Sequence, residues 1–428
     1  MNEIISPAKT LSGSVLLPGD KSISHRYGMI AAIAEGPSRI KRYSGGADCQ
    51  STLGCMESMG IKIERDGDDT IIHGQGLEGL KASATGDLDA GNSGSTIRML
   101  SGILAAQSFT TRIAGDESLA RRPMDRIINP LKEMGASITA HNGRFTPLTI
   151  EGRTLHAIDY TTPMASAQVK SCVLLAGLFA EGKTIVREAI RTRDHTEVAL
   201  REFGAEIDSL KNVITLEGRP QLKGRELEVP GDLSSAAFFL VAALIRPGSA
   251  ISIYGVGLNP TRSALLDFLA QMGAPIKVLD VGQRGGELVG DIQVKYAPVK
   301  GGVLEGATTA ALIDEIPVLS ILGAVSEEGL LVKDAKELRV KETDRIATVA
   351  ENFKRMGVKV DVHENGFFVP GKQKLEAATL DSFGDHRIAM AFSVAALAAE
   401  GGDSTIEDAG AASVSFPDFY TILKRLAS

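Results

Sequence analysis

Residues 384–401 read GDHRIAMAFSVAALAAEG, a polar, glycine-bearing start followed by a run of small apolar residues that ends on Gly. A helix that is apolar nearly all round is buried, and its free N-terminal N–H groups must find partners in caps or in a ligand. The same unit occurs six times. Its starts fall near Ser22, Ser95, Ser166, Ser234, Asp314 and His386, at intervals of 73, 71, 68, 80 and 72 residues, close to one sixth of the 428-residue chain. Other helices of the set read IAAIAEG (30–36), LLAGLFAEG (174–182) and LVAALIRPG (240–248). A second signature keeps register with the first: a helix end, then Gly, then a return strand. It runs through MESMGIKI, LKEMGASI, LREFGAEI, LAQMGAPI and FKRMGVKV, and sets Gly60, Gly135, Gly204, Gly273 and Gly357 at equivalent points. Repeats of this length are whole supersecondary units. The alternating stretches TIIHG, TIVREA, SAISIYGV and GFFVPG suit strands, so each repeat is expected to be α+β within an α/β chain.

The tripeptide Pro-Gly-Asp occurs at 18–20 and again at 230–232, each time after an apolar strand and before a helix start. Three repeats lie between these points and three after the second. The expected division is one lobe over 21–230 and a discontinuous lobe of 1–20 plus 231–428, closed by an N-terminal strand. Two crossings of the chain would leave a cleft between lobes, a common place for a ligand. One continuous α/β domain is the alternative topology.

With 43% hydrophobic and 23% charged residues the chain can bury two large cores, and it reads as folded throughout. Its three cysteines, Cys49, Cys55 and Cys172, show no paired metal spacing, and the first twenty residues hold neither a secretory apolar core nor an Arg-rich transit pattern. A reducing cytoplasm is the expected location. Apolar runs are too short or too interrupted to span a bilayer. Net charge is −7, yet Lys21, Arg26, Arg98, Arg122, Arg193, Lys341, Arg345 and Arg387 all lie at or near helix starts. Local cationic character of this kind fits small anions at helix N-termini rather than nucleic acid.

Two motifs point elsewhere and are set aside on context. Residues 177–184, GLFAEGKT, fit the phosphate-loop pattern, but a helix precedes them and a strand follows, the reverse of what that loop requires. A helix-ending glycine turn explains them. Gly74, Gly76 and Gly79 form G-x-G-x-x-G after a strand, but LKASATGDLDAG behind them is no helix, so a dinucleotide site is rejected. The metal motifs H-E-x-x-H, paired C-x-x-C and an acidic calcium loop do not occur, so no metal site is expected.

Residues 339–345, RVKETDR, form the densest charge run. On a helix Lys341 and Arg345, four apart, would share a face, with Glu342 three from Arg345. A charge run by itself is usually a solvated face. What distinguishes this one is that five other helix starts carry similar groups. DKSISHR gathers Lys21, Ser22 and Arg26; GNSGSTIR uses Gly91 and Gly94 to bring backbone N–H groups close to a ligand, with Arg98 one turn on. ASAQ offers Ser166 and Gln168; Arg122 precedes Pro123 at a further helix start; the last helix begins Asp385, His386, Arg387.

In chain order DKSISHR, GNSGSTIR, RRPM, MASAQ, TRDHTE, PGDLSSA, RVKETDR, GDHRIAMA and FPDF resemble the 5-enolpyruvylshikimate-3-phosphate synthase family over essentially the whole chain. The resemblance implies a two-domain inside-out α/β barrel of six βαβαββ units, three per domain, closing over shikimate 3-phosphate and phosphoenolpyruvate. It implies enolpyruvyl transfer to the 5-hydroxyl with loss of phosphate through a tetrahedral intermediate, a step of the shikimate pathway to aromatic amino acids. No cofactor or metal, no nucleic-acid or membrane partner, and a monomer are expected. By the same resemblance Lys21, Ser22, Arg26, Ser166, Ala167, Gln168, Arg193, Asp314 and Lys341 hold shikimate 3-phosphate. Lys21, Gly94, Arg122, Gln168, Arg345, His386 and Arg387 hold phosphoenolpyruvate. Asp314, Glu342 and Lys21 are the proton-transfer groups.

This chain departs from the family pattern at three points. Ala167 stands where a second serine is common, Ser95 where threonine is usual, and DAGAASVSFPDF offers Ser413, Val414 and Ser415 where a lysine often precedes the phenylalanine. His25 and His195 suit structural hydrogen bonds as well as catalysis, and His386 beside Arg387 suits the site. The rival family, UDP-N-acetylglucosamine enolpyruvyl transferase, places Asn after the first lysine and uses a loop cysteine. Here Ser22 follows Lys21 and no cysteine lies between Cys55 and Cys172. A catalytically inactive paralogue that binds phosphorylated metabolites would be expected to lack Asp314 or Glu342, and both are present.

Overall fold

The computed structural model describes residues 1–84 and 86–427. The chain forms two compact units. One, the middle unit, holds Gly19–Val229 and Gln283–Glu287; the other, the terminal unit, holds Met1–Pro18, Pro230–Gly282 and the chain from Leu288 onward.

Six buried helices follow the repeat. In the middle unit they are Lys21–Ala32, Gly94–Leu104 and Ala167–Gly177; in the terminal unit they are Leu233–Ile245, Ile316–Val325 and His386–Ala396. We number these central helices one to six. All thirteen residues of the fourth are buried, as the unbroken apolar run LSSAAFFLVAALI requires. Each helix precedes a small sheet built to one plan. In the middle unit Asp87–Asp89 runs parallel to Thr110–Ala114, which pairs antiparallel with Phe145–Glu151, and Ser137–His141 completes the four strands antiparallel to the last. Asp159–Thr161 opens the next sheet in the same way, and Glu226–Glu228 does so for the first, lying parallel to Glu35–Lys41. The terminal unit repeats the plan. Residues 1–20 supply two strands there rather than the single one expected from sequence: Ser12–Leu16 lies parallel to Ala250–Gly257, and Glu3–Ile5 pairs antiparallel with Ser404–Glu407 in a three-stranded sheet.

The return glycines have a common reason. Gly60, Gly135, Gly204, Gly273 and Gly357 all sit at positive φ, between 72° and 102°, where a helix ends and an L side chain would clash with its own backbone. Apolar faces of sheets and central helices close one hydrophobic core in each unit. In the terminal unit Phe238, Phe239, Phe416 and Phe419 meet edge to face, which seats the FPDF segment on the fourth helix. Among the described residues no helix is long and apolar enough to cross a membrane. The phosphate-loop look-alike 177–184 is a helix end, a turn through Gly182 at φ 83°, and the strand Lys183–Arg187.

Candidate active site

What positions the polar groups is the set of buried helix N-termini. Five of the six central helices are capped by a side-chain oxygen: Asp20 accepts from Ile23 N, Ser93 from Thr96 N, Ser166 from Val169 N, Asp232 from Ser234 N and Asp385 from Arg387 N. The fifth has Glu315 at its cap position without such a bond and carries Pro317 in its first turn, which removes one of the free donors. Each cap fixes a helix entry, and the residues beside it become the site.

In the middle unit Lys21 Nζ pairs with Asp48 Oδ2 at 2.9 Å. Arg26, buried, gives Nε to Thr196 Oγ1 at 2.6 Å, Nη1 to the Ser22 carbonyl at 2.7 Å and Nη2 to Ser171 Oγ at 2.9 Å. All three acceptors are neutral. Burial draws this guanidinium down to about 10, with the Glu197 charge opposing. Arg193 Nη1 lies 3.4 Å from Ser22 Oγ, so Lys21, Ser22, Arg26 and Arg193 form one group. A second group forms at the next helix start. Arg98 Nη1 donates to Gln168 Oε1 at 2.7 Å, and Gln168 Nε2 donates to Ser95 Oγ at 3.0 Å. Arg122 gives Nη2 to Asn92 Oδ1 at 2.7 Å and to Ser118 Oγ at 3.0 Å. A Cβ on Gly94 would stand 3.2 Å from Arg98 Nη1 and 3.4 Å from Arg122 Nη1, so glycine lets two guanidiniums approach a helix N-terminus. The two groups are joined through buried hydroxyls: His25 Nδ1 to Thr52 Oγ1, 2.7 Å, and Thr52 Oγ1 to Thr96 Oγ1, 2.7 Å. Ser166 acts as a cap, with Ala167 as the first helical residue.

In the terminal unit the organising group is Arg345, whose side chain is 1% exposed. Its Nε meets Asp385 Oδ2 at 2.7 Å, its Nη2 meets Glu342 Oε2 at 2.7 Å and its Nη1 lies 3.4 Å from Asp314 Oδ1. Lys341 Nζ reaches the same Asp314 oxygen at 3.3 Å. Arg387 Nη1 donates to the Asp314 carbonyl at 3.0 Å and lies 3.8 Å from Glu315 Oε1. His386, the first residue of its helix, has Nδ1 4.0 Å from Asp385 Oδ1. Burial works against charge on both Arg345 and Asp385. Asp385, Glu342 and Asp314 together outweigh it at Arg345 and raise the guanidinium, while the charge and hydrogen bonds of Arg345 are the main groups that lower the Asp385 carboxyl.

The helical reading of RVKETDR needs correction. Residues Lys336–Val340 form a 3-10 turn, and the helix begins only at Arg345, because Asp344 Oδ1 accepts from Ile346 N and Ala347 N and caps it there. Lys341 and Glu342 still converge with Arg345, by bending toward it rather than by sharing a helix face. The structure also brings in groups that no motif announced: Asp48, Ser171 and, in the terminal unit, Arg262 and Glu315. Arg262 bonds Ser234 Oγ, which also bonds Glu315, and lies 3.5 Å from Asp232 Oδ1. Its only sequence signal is a charge after Pro260-Thr261, far from any repeat start. Where the lysine is missing, Ser413 Oγ donates to the Gly410 carbonyl at 2.7 Å. His195 Nδ1 pairs with Glu287 Oε1 at 2.7 Å, both buried.

Comparison with known proteins gives one consistent result. The family profile described as EPSP synthase (3-phosphoshikimate 1-carboxyvinyltransferase) matches residues 5–423. A 3-phosphoshikimate 1-carboxyvinyltransferase of Solibacter usitatus is 64% identical over 427 residues, covering 100% of both chains. One of Desulforamulus reducens is 46% identical over 428 residues, covering 100% of this chain and 99% of its own. The solved structure of EPSP synthase from Acinetobacter baumannii superposes with a TM-score of 0.88 at 42% identity, covering 99% of this chain and 98% of that one.

Proposed function

This chain belongs to the EPSP synthase (3-phosphoshikimate 1-carboxyvinyltransferase) family, and from that premise we propose how its residues divide the reaction. The enzyme transfers the enolpyruvyl group of phosphoenolpyruvate to the 5-hydroxyl of shikimate 3-phosphate and releases phosphate. Lys21, Ser22, Arg26, Ser166, Ala167, Gln168 and Arg193 of the middle unit, with Asp314 and Lys341 of the terminal unit, bind shikimate 3-phosphate. Lys21, Gly94, Arg122 and Gln168, with Arg345, His386 and Arg387, bind phosphoenolpyruvate. Phosphate and carboxylate groups suit guanidinium forks, which hold them bidentately as an ammonium does not.

The observation that carries this reading is the convergence of Asp314 and Glu342 on the one buried guanidinium of Arg345, at 3.4 and 2.7 Å. The reaction needs a base to take the 5-hydroxyl proton and an acid to protonate the methylene carbon of phosphoenolpyruvate. Two carboxylates, with Lys21, supply those roles. Protonation makes C2 of phosphoenolpyruvate cationic, the hydroxyl oxygen attacks it as the base takes its proton, and the tetrahedral ketal loses phosphate and one proton of its methyl group to leave the enol ether. The protein's own groups suffice for each proton step, so we infer a metal-independent enzyme. We also infer a cytoplasmic monomer, in keeping with three free, buried thiols. Sedimentation should give a mass near 45.1 kDa.

Phosphate release from phosphoenolpyruvate in metal-chelated buffer tests the reading, with shikimate 3-phosphate and UDP-N-acetylglucosamine in parallel. Release is expected only with shikimate 3-phosphate. Release only with the nucleotide sugar would move the chain to the other enolpyruvyl transferases, and release with neither would leave a binding protein.

A further inference from the structure

Lys170 lies in the third central helix, two residues after Gln168, with 1% of its side chain exposed. Its Nζ donates to Glu188 Oε2 at 2.9 Å and to the Thr192 carbonyl at 3.5 Å. It also forms an ion pair with Glu197 Oε1 at 2.8 Å. Buried ion clusters seldom stabilise a fold more than apolar side chains of the same volume would, so what this cluster orients is the more informative question. Its contacts run in two directions. Glu188 also accepts from Thr192 Oγ1, and both residues belong to the irregular segment 188–194 that carries Arg193. Glu197 follows Thr196, whose Oγ1 accepts from Arg26 Nε and lies 2.5 Å from Ser171 Oγ, the residue next to Lys170.

We propose that Lys170 is a positioning residue: through Glu188 and Thr192 it clamps the Arg193 segment to the helix that begins at Ser166, Ala167 and Gln168, and so fixes the groups that receive shikimate 3-phosphate. The inference rests on the substrate assignment made above. A segment without a backbone ladder gains its definition from such side-chain ties, and a small misplacement of a binding group is costly. The clamp touches no substrate. The helix keeps its own backbone ladder, so loss of the tie displaces Arg193, assigned above to shikimate 3-phosphate alone, and leaves the chemical step alone.

The test is steady-state kinetics on the full chain carrying Thr192→Val, which keeps side-chain shape and removes the hydroxyl bond to Glu188. Losing a hydrogen bond to a charged group corresponds to about a tenfold rise in KM for shikimate 3-phosphate. The kcat, and the KM for phosphoenolpyruvate at saturating shikimate 3-phosphate, should stay within about twofold, well inside that hydrogen-bond effect. Thr192→Ser should restore the parent value, and Glu188→Gln should shift the same KM in the same direction. An unchanged KM in Thr192→Val would overturn the clamp, and so would an equal loss for both substrates together with a lower melting temperature, the mark of a structural role. A parent chain without shikimate 3-phosphate turnover would sink the functional reading and the clamp with it; an active parent whose variants behave as the parent does sinks the clamp alone.

Discussion

Arg26 and Arg345 are both buried guanidiniums near helix starts, and their surroundings are opposite. Arg26 is held by two hydroxyls and a carbonyl, whereas Arg345 is held by Asp385, Glu342 and Asp314. Burial accordingly draws the first below its usual range, and carboxylates hold the second above it. The contrast is specific to these two groups: in the middle unit Lys21 pairs with Asp48 at 2.9 Å, just as in the terminal unit Lys341 and Arg387 face Asp314 and Glu315. A cation with neutral partners keeps its field for an incoming anion. A cation ringed by carboxylates has its field compensated, and serves to hold those carboxylates in place. On the roles proposed above, the Arg26 cluster is arranged to bind, and the Arg345 cluster to hold proton-transfer groups as well.

The sharpest way to break that division is Glu342→Gln, which keeps shape and the contact to Arg345 but ends proton transfer at that oxygen. Turnover should fall by on the order of a hundred- to ten-thousand-fold, the usual worth of a general acid or base. Binding of shikimate 3-phosphate, read by calorimetry, should change little, since most of the groups we propose for it belong to the middle unit. Equal losses of turnover and binding would make Glu342 a structural partner of Arg345 and remove the asymmetry.

A second comparison sets Arg345→Met against Arg26→Met in chemical denaturation. Removing Arg345 leaves the Asp385 carboxylate buried without its main cation, and breaking a buried pair in this way costs about 3–5 kcal/mol. Removing Arg26 leaves neutral acceptors, two of which already bond each other, and lifts the desolvation of a charge. About 1–2 kcal/mol is expected there, in line with unmade neutral hydrogen bonds. Equal costs would show that Arg26 has a carboxylate partner in all but contact, with Glu197 the candidate.

How much of this was legible beforehand depended on whether the information was local. The repeat, its return glycines and its helix starts are patterns of neighbouring residues, and they survive intact. The caps are a finer detail: Asp20, Ser93 and Asp232 each stand two residues before the Ser22, Ser95 and Ser234 that mark the starts. RVKETDR was read as helical because its charge spacing allows it, yet Asp344 caps the next helix and forces the preceding residues to bend. Arg262 and Asp48 carry no local mark, since only tertiary packing brings them to Ser234 and Lys21. The clamp at Lys170 follows the same logic: a lysine in an apolar helix run is visible, but its partners, 18 and 27 residues on, are not.

The smallest effect probes the surroundings of the first central helix. His25 lies fully buried, and its pKa is drawn well below 6.5, first by burial and then by Lys21 and Arg26, with Asp20 opposing. In the folded chain the ring is neutral down through mildly acid pH, while in the unfolded chain it takes up a proton near the ordinary histidine value of about 6.5. The unfolded state then binds more protons, so the His25 contribution is complete above that pH and is lost as pH falls below it, at up to about 1.4 kcal/mol per unit. His25→Asn puts an amide where Nδ1 meets Thr52 and cannot be protonated there. The parent should therefore lose stability relative to His25→Asn between about pH 6.5 and 5.5, by about 1 kcal/mol. Urea melts of both chains at a series of pH values measure the difference directly, and the common titration of the carboxylates cancels between them. Parallel curves would mean that the ring accepts its proton inside the fold, which full burial beside Lys21 and Arg26 should not allow.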